Sequence, residues 1–205
     1  MLVYKFKSLQ KFEHITDIFL HRRFYAALLS ELNDPMEGVA EYESSIKETL
    51  KKEFQKSLNE IRVCCFSKKK NNELLWSHYA DGCRGICIEV SVSDYADEVR
   101  YNDFPLIRRI REDNLEGYNP QGLAEFYCLD KMKCWEYEKE IRLFPIDQSK
   151  YIDQCFCEIK AVLFGLRIPD REKADLLKLI PGNIQIFNTK ISDSTGRVIK
   201  SKRIR

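Results

Sequence analysis

The stretch EIKAVLFGLRI, Glu158–Ile168, decides the fold. It is apolar at nearly every position from 161 to 166, which predicts a central strand buried on both faces. The segments after it are equally legible. Pro169 opens a helix that runs to Ile180, proline being favoured at a first helical position. Pro181-Gly182 stops that helix, and Ile184–Ile191 makes a further strand. Working toward the N-terminus, Gly85–Val92 (GICIEVSV) sets Ile86, Ile88 and Val90 against Cys87, Glu89 and Ser91, a half-buried strand. Leu2–Lys7 and Ile61–Ser67 read as strands too, and Val99–Tyr101 as a short one.

The clearest helix carries Ile46, Leu50, Phe54, Leu58 and Ile61 on one stripe, with Ser45-x-x-Glu48 before it in the form of a capping box. Glu73–Ala80 reads as a short helix ended by Asp81-Gly82, and residues 12–31 as helix or turns ahead of the stop at Asn33-Asp34-Pro35. Residues 102–122 form an excursion with limited structure, 123–134 a helix, and Trp135–Phe144 a strictly alternating strand. The sum is a single α+β domain over residues 1–205, with 102–134 as an inserted loop or lid. Its mostly antiparallel, split sheet should hold about six to eight strands, with about three or four flanking helices.

Composition narrows the class. A chain of 205 residues buries roughly 70% of its unfolded surface and needs no staple. With 44% hydrophobic and 32% charged residues it is neither disordered nor collagen-like, and a net charge of +2 neither demands nor excludes nucleic acid. The eight cysteines form no CxxC pair and no zinc spacing. Without a secretory leader or an apolar span, they read as reduced thiols in the cytoplasm, with no metal at Cys and no membrane partner. Aromatic residues make 12% of the chain, enough for a filled core and a ring-lined cleft besides.

Three segments concentrate chemistry. Trp135–Leu143 (WEYEKEIRL) puts Glu136, Glu138, Glu140 and Arg142 on one strand face and Trp135, Tyr137, Lys139 and Ile141 on the other. Like charges so close must be solvated, paired or employed, and the wet face of a strand explains them as readily as a site does. Leu75–Gly82 (LWSHYADG) gathers Trp76, His78 and Tyr79 on a short helix, as packing or as a wall beside a substrate. Asn33-Asp34-Pro35-Met36-Glu37 is an ordinary turn that also presents two carboxylates. No GxGxxG, Walker loop, GxSxG or HExxH is present.

Taken in order, YKF, NDPxE, the Cys-Phe-Ser strand end, LLWSHYADGxxGICIE and KxWxYExExR resemble a widespread bacterial family of single-domain proteins classed as a domain of unknown function. That resemblance covers roughly residues 2–168 and implies no activity. A weaker similarity is to the ADP-ribosyltransferase superfamily, whose order is a polar first-strand residue, a second-strand Ser or aromatic, and a late Glu within ExE. Tyr4 and Lys5, Phe66-Ser67, and Glu138/Glu140 fit that order. The first strand has no Arg or His, and no Ser-Thr-Ser run occurs.

This similarity implies NAD as co-substrate, no metal, and transfer of ADP-ribose to a protein or nucleic acid, in the manner of bacterial toxins or phage-defence effectors with a regulatory partner such as an antitoxin. Glu140 would hold the ribose hydroxyl, Glu138 would orient or deprotonate the acceptor, and His78 would assist. Tyr4, Trp76 or Tyr79 would stack on nicotinamide. Ser67 would line the cofactor site, and Lys5, Lys133 or Arg142 would meet the pyrophosphate. Asn33, Asp34, Glu37 and Trp135 would face the acceptor. Two further readings stand beside it. One is a metal-dependent nuclease or phosphohydrolase, with Asp34, Glu37, Glu138 and Glu140 as ligands and His78 or Lys133 as base. The other is a non-catalytic nucleic-acid- or peptide-binding module. The basic tail GRVIKSKRIR suits phosphate contacts or simple solvation.

Overall fold

The computed structural model describes residues 1–93, 96–103, 108–110 and 119–205. Along the chain come β1 (Leu2–Lys7), α1 (Phe12–Phe19), β2 (Arg23–Tyr25), β3 (Ala27–Leu28), β4 (Ala40–Tyr42), α2 (Glu48–Glu60) and β5 (Arg62–Ser67). Next are α3 (Glu73–Tyr79), β6 (Ile86–Val92), β7 (Asp97–Glu98), β8 (Arg100–Asn102), β9 (Arg108–Ile110), α4 (Pro120–Tyr127), β10 (Asp130–Met132) and β11 (Glu140–Leu143). The chain closes with β12 (Tyr151–Asp153), β13 (Cys157–Phe164), α5 (Asp170–Leu179), β14 (Gln185–Ile191) and β15 (Val198–Arg203).

One nine-stranded sheet dominates, in the order β15-β14-β13-β6-β1-β5-β11-β7, with β3 also on β5. Its pairs are antiparallel except β13 with β14, which α5 joins as a crossover. The α+β class and the mostly antiparallel sheet are therefore as expected, and β13 is central as its apolar run requires. The sheet has a weak seam. β1 pairs with β6 along six residues but meets β5 at one pair, Tyr4 with Ser67. β3 takes the other end of the same β5 edge, through Val63 and Arg62. Between them the Lys5 ammonium donates to the Cys65 carbonyl at 2.6 Å, satisfying an acceptor that no strand reaches.

Alternation along the strands sorts the core. On one face Val3, Phe66, Ile86, Ile88, Val90, Ile141 and Val162 pack with Ile15, Ile18 and Leu176 of α1 and α5. On the opposite face the seam separates two smaller clusters. Tyr4, Phe6, Cys87 and Leu163 pack with Leu75 and Trp76 of α3, and Val63 packs with Phe54 and Leu58 of α2 and Ala124 of α4.

Several local expectations change. Trp135–Phe144 is not one strand: Lys133–Glu138 is a 3-10 turn, Lys139 takes φ 43°, and only Glu140–Leu143 extends. Alternation of charge with apolar residues mimics a strand, but the Lys139 amide bonds to the Glu136 carbonyl and closes a helical turn instead. Residues 123–134 divide into the end of α4 and β10, which pairs with β8 in parallel. Of the expected 102–134 insertion, 104–107 and 111–118 lie outside the described residues, while α4 packs into the core beside α2. No capping box closes α2, whose N-cap is Lys47 with no side-chain capping bond to the helix. The basic tail is the edge strand β15, and the Arg205 guanidinium caps α5 by donating to the carbonyls of Leu177, Ile180 and Pro181.

The glycines after α3 have a packing reason. A Cβ on Gly85 would stand 2.1 Å from the Lys7 carbonyl oxygen, and one on Gly165 2.2 Å from that of Cys83. The two turns interlock through Gly165 N–H to Gly85 O at 2.9 Å. Part of the ADGxxG signature thus holds β6 against β1.

Candidate active site

The seam is filled with charge. Arg142 on β11 is wholly buried and donates twice to Glu37, at 2.6 and 2.8 Å, and twice to Glu140, at 2.8 and 3.2 Å. The Lys131 ammonium on β10 reaches Glu138 at 2.7 Å, Glu140 at 2.9 Å and Glu37 at 3.5 Å. Three carboxylates thus surround one ammonium where a metal ion would otherwise be gathered. Among the described residues no group of three or more His, Cys, Asp or Glu side chains is arranged to hold a metal.

The set carries three negative and two positive charges, so one negative charge is in surplus. Its members titrate apart. Burial raises Glu140, but Arg142 and Lys131 outweigh burial and bring its carboxyl down to about 2. Burial dominates at Glu138, which ends above its ordinary value despite Lys131 and Tyr79. For Lys131, burial disfavours the charge, and Glu140, Glu138 and Glu37 more than restore it.

Glu138, itself buried, is the member that bonds to Tyr79. The Tyr79 hydroxyl, at the end of α3, donates to it, and the exposed Asn33 amide donates to that hydroxyl at 2.9 Å. Burial and the neighbouring Glu138 charge hold the Tyr79 phenol strongly protonated. Exposed His78 stands 3.1 Å from the Tyr137 hydroxyl through Nδ1. Asn33, His78, Tyr79 and Tyr137 therefore form the rim above Glu138. The NDPxE, WSHYADG and WxYExExR segments meet at one place.

Below the rim a row crosses the sheet. Directly opposed residues share a face, and Glu89, Tyr4, Ser67 and Glu140 are consecutive partners on β6, β1, β5 and β11. The Ser67 hydroxyl donates to the Glu138 carbonyl at 2.5 Å and accepts from the Lys69 amide at 2.9 Å. That bond draws the 3-10 turn onto the end of β5 and sets the height of Glu138.

Other expected site residues lie elsewhere. Trp76 is fully buried, edge-on to Phe6, with its indole N–H on the Lys70 carbonyl at 2.9 Å, so no ring face is open. Lys5 projects from the opposite face, over Phe66, because β1 alternates. Lys133 is exposed and paired with Asp103. Arg142 has no donor to spare for a pyrophosphate, since its remaining contact is the Cys128 carbonyl at 2.5 Å. Asp34 is buried and accepts from the Met36 amide at 3.0 Å, closing the turn that delivers Glu37. Trp135 is half-buried, its ring 4.9 Å from the Lys131 ammonium. Glu136, expected beside Glu138, pairs outward with Lys139.

Two contributors escaped the sequence reading. Lys131 lies in a segment read as helix, and the Tyr101 hydroxyl accepts from the Glu140 amide at 2.7 Å on the seam's far side. Neither has a local signal. A groove of about 490 Å³ opens on the α1/α5 face, lined by His21, Arg22, Asp153, Cys155 and Glu158 among others. None of the expected site residues lines it. All eight cysteines are free thiols, and among the described residues no helix is long and apolar enough to cross a membrane. No family profile, no curated protein and no solved structure matches this chain.

Proposed function

We propose that the protein is an ADP-ribosyltransferase-like enzyme that uses NAD as co-substrate at the sheet seam. The observation that carries this reading is the single row Tyr4–Ser67–Glu140 across three strands, with the surplus carboxylate Glu138 above it. A buried, net-negative set favours a reaction that moves positive charge onto the sugar beside it, as happens when the glycosidic bond to a pyridinium nitrogen breaks.

In this reading Glu138 keeps the acceptor role expected of it and also takes the sugar-facing role expected of Glu140. Glu140, with both oxygens engaged, fixes Arg142 and Lys131. Glu138 faces the sugar. The bond from the ribose anomeric carbon to the nicotinamide nitrogen breaks, and nicotinamide leaves neutral with the electron pair. The oxocarbenium-like carbon is stabilised by Glu138, then attacked by an acceptor oxygen or nitrogen whose proton passes to that carboxylate. Burial raises the pKa of Glu138 above the ordinary carboxylate value, which makes it a stronger base than a free carboxylate. Tyr79 and Asn33 hold its orientation, and Tyr137 and His78 flank the approach.

A protein or nucleic-acid acceptor, a regulatory partner such as an antitoxin, and a role as toxin or phage-defence effector complete the proposal. Eight free thiols suit a reducing cytoplasm. The metal-dependent alternative is weaker, because Glu37, Glu138 and Glu140 already face Lys131. The test is release of nicotinamide from NAD by the purified chain. Loss of at least a hundredfold in Glu138→Gln, with the fold intact, is expected. An absence of both nicotinamide release and NAD-dependent thermal stabilisation would overturn the reading.

A further inference from the structure

With Lys5, Lys133 and Arg142 all committed elsewhere, the site needs another cation for a phosphate-bearing ligand. We propose that Lys70 and Lys200 form a diphosphate-binding pair on the Tyr4 side of the seam, with Glu89 as the base that holds them in place. This deepens the ADP-ribosyltransferase reading and rests on it.

Glu89 is buried on β6, directly opposite Tyr4. Each of its oxygens takes a different ammonium: Lys70 at 3.2 Å and Lys200 at 2.5 Å. One cation would neutralise it, so the second leaves a surplus positive charge. Neither ammonium has a second carboxylate within ion-pair distance among the described residues. Both lysine side chains keep about a third of their surface exposed, at 30% and 31%, so donors remain for a ligand while the carboxylate is sealed beneath.

Both lysines are held from behind. Lys70 lies after β5 in the loop to α3, and its carbonyl is pinned by the buried Trp76 indole. Lys200 comes from the far edge of the sheet. β15 curls over this face so that Val198 joins the Tyr4 cluster and Lys200 lies 4.5 Å over the Phe187 ring. Pinned cations lose little freedom when an anion arrives.

The spacing fits a dinucleotide. Glu89 and Glu140 stand three strand intervals apart along the row, roughly 14 Å at the usual inter-strand distance. The sugar would lie at the negative end under Glu138, and the diphosphate at the positive end on Lys70 and Lys200. The Tyr4 ring lies between, with the Lys70 ammonium 5.4 Å from its centre. The two ends differ in sign, which orients the ligand.

The test is calorimetric titration of the full chain with ADP-ribose, inorganic pyrophosphate and a single-stranded oligonucleotide. Variants are Lys70→Met, Lys70→Met/Lys200→Met, and the triple variant with Glu89→Gln, which removes the buried carboxylate if the double variant does not fold. We expect wild type to bind ADP-ribose and pyrophosphate. Affinity for ADP-ribose should fall at least threefold in the single variant and at least tenfold in the others. If wild type binds ADP-ribose and the triple variant binds it within twofold, the pair is not the diphosphate site, although the nucleotide reading survives. If wild type binds neither NAD nor ADP-ribose, both fall. Binding of the oligonucleotide alone, abolished in the triple variant, would overturn the proposal in favour of a nucleic-acid contact.

Discussion

Arg142→Met is the sharpest test of the charged seam. Arg142 is wholly buried and makes five hydrogen bonds: two to Glu37, two to Glu140 and one to the Cys128 carbonyl. Methionine fills much of its volume but leaves three buried carboxylates facing the single cation Lys131. The net charge of the set goes from −1 to −2. Removing one partner of a buried ionic network costs about 3–5 kcal/mol, since the other charges remain buried. That is a large part of the roughly 5–15 kcal/mol that holds a domain folded. In urea, with a slope of about 2 kcal/mol per molar, the midpoint should fall by about 1.5–2.5 M. The partner experiment is Arg142→Met/Glu140→Gln, which returns the set to −1. It should recover about 1–3 kcal/mol relative to the sum of the single changes. A single-variant midpoint within about 0.5 M of wild type at unchanged slope would show that the carboxylates are solvated or protonated, and would refute the buried network.

Glu140 has a depressed pKa, so its contribution is complete above the ordinary glutamate range and lost as pH falls toward about 2. Acid titration of wild type should therefore show a destabilising limb below about pH 4.5 that shrinks in Glu140→Gln. Glu138 is shifted the other way, so its charged form costs stability: Glu138→Gln should not lower Tm at pH 7 while it abolishes turnover. Lys7 is brought down to about 7 by burial and by Lys5, with His14 Nδ1 as its polar contact at 3.4 Å. Stability should thus rise as pH increases from about 7 toward 10, and Lys7→Met should flatten that rise in a thermal-melt series. Gly85→Ala drives a methyl into the Lys7 carbonyl and should leave little folded protein by near-ultraviolet circular dichroism, whereas Gly182→Ala, with nothing nearby, should fold normally.

Strands β1, β5, β6, β13 and β14 and helices α2, α3 and α5 were legible because each has a local period that one buried face imposes. The misreading of Trp135–Lys139 has the same root. Alternation of charge and ring satisfies a strand template equally well in a 3-10 turn, and only the Lys139 left-handed turn and the Ser67 bond to the Glu138 carbonyl separate them. Trp76 was misplaced because an indole beside a histidine reads as a site wall, while its N–H had a backbone partner six residues upstream.

By itself the sequence determined the fold class, the central strand, the free thiols and the three segments that meet at the seam. It did so because hydrophobic burial writes its period into neighbouring residues. Which partners each carboxylate takes was decided only by tertiary structure. Lys131, nine residues before Glu140 in a segment that reads as helix, bonds to both Glu138 and Glu140 because β10 brings it beneath them. Lys200 and Glu89, 111 residues apart, become partners only when β15 curls across the face. Ionic partners are chosen by proximity in the fold, and proximity of that kind leaves no pattern along the chain.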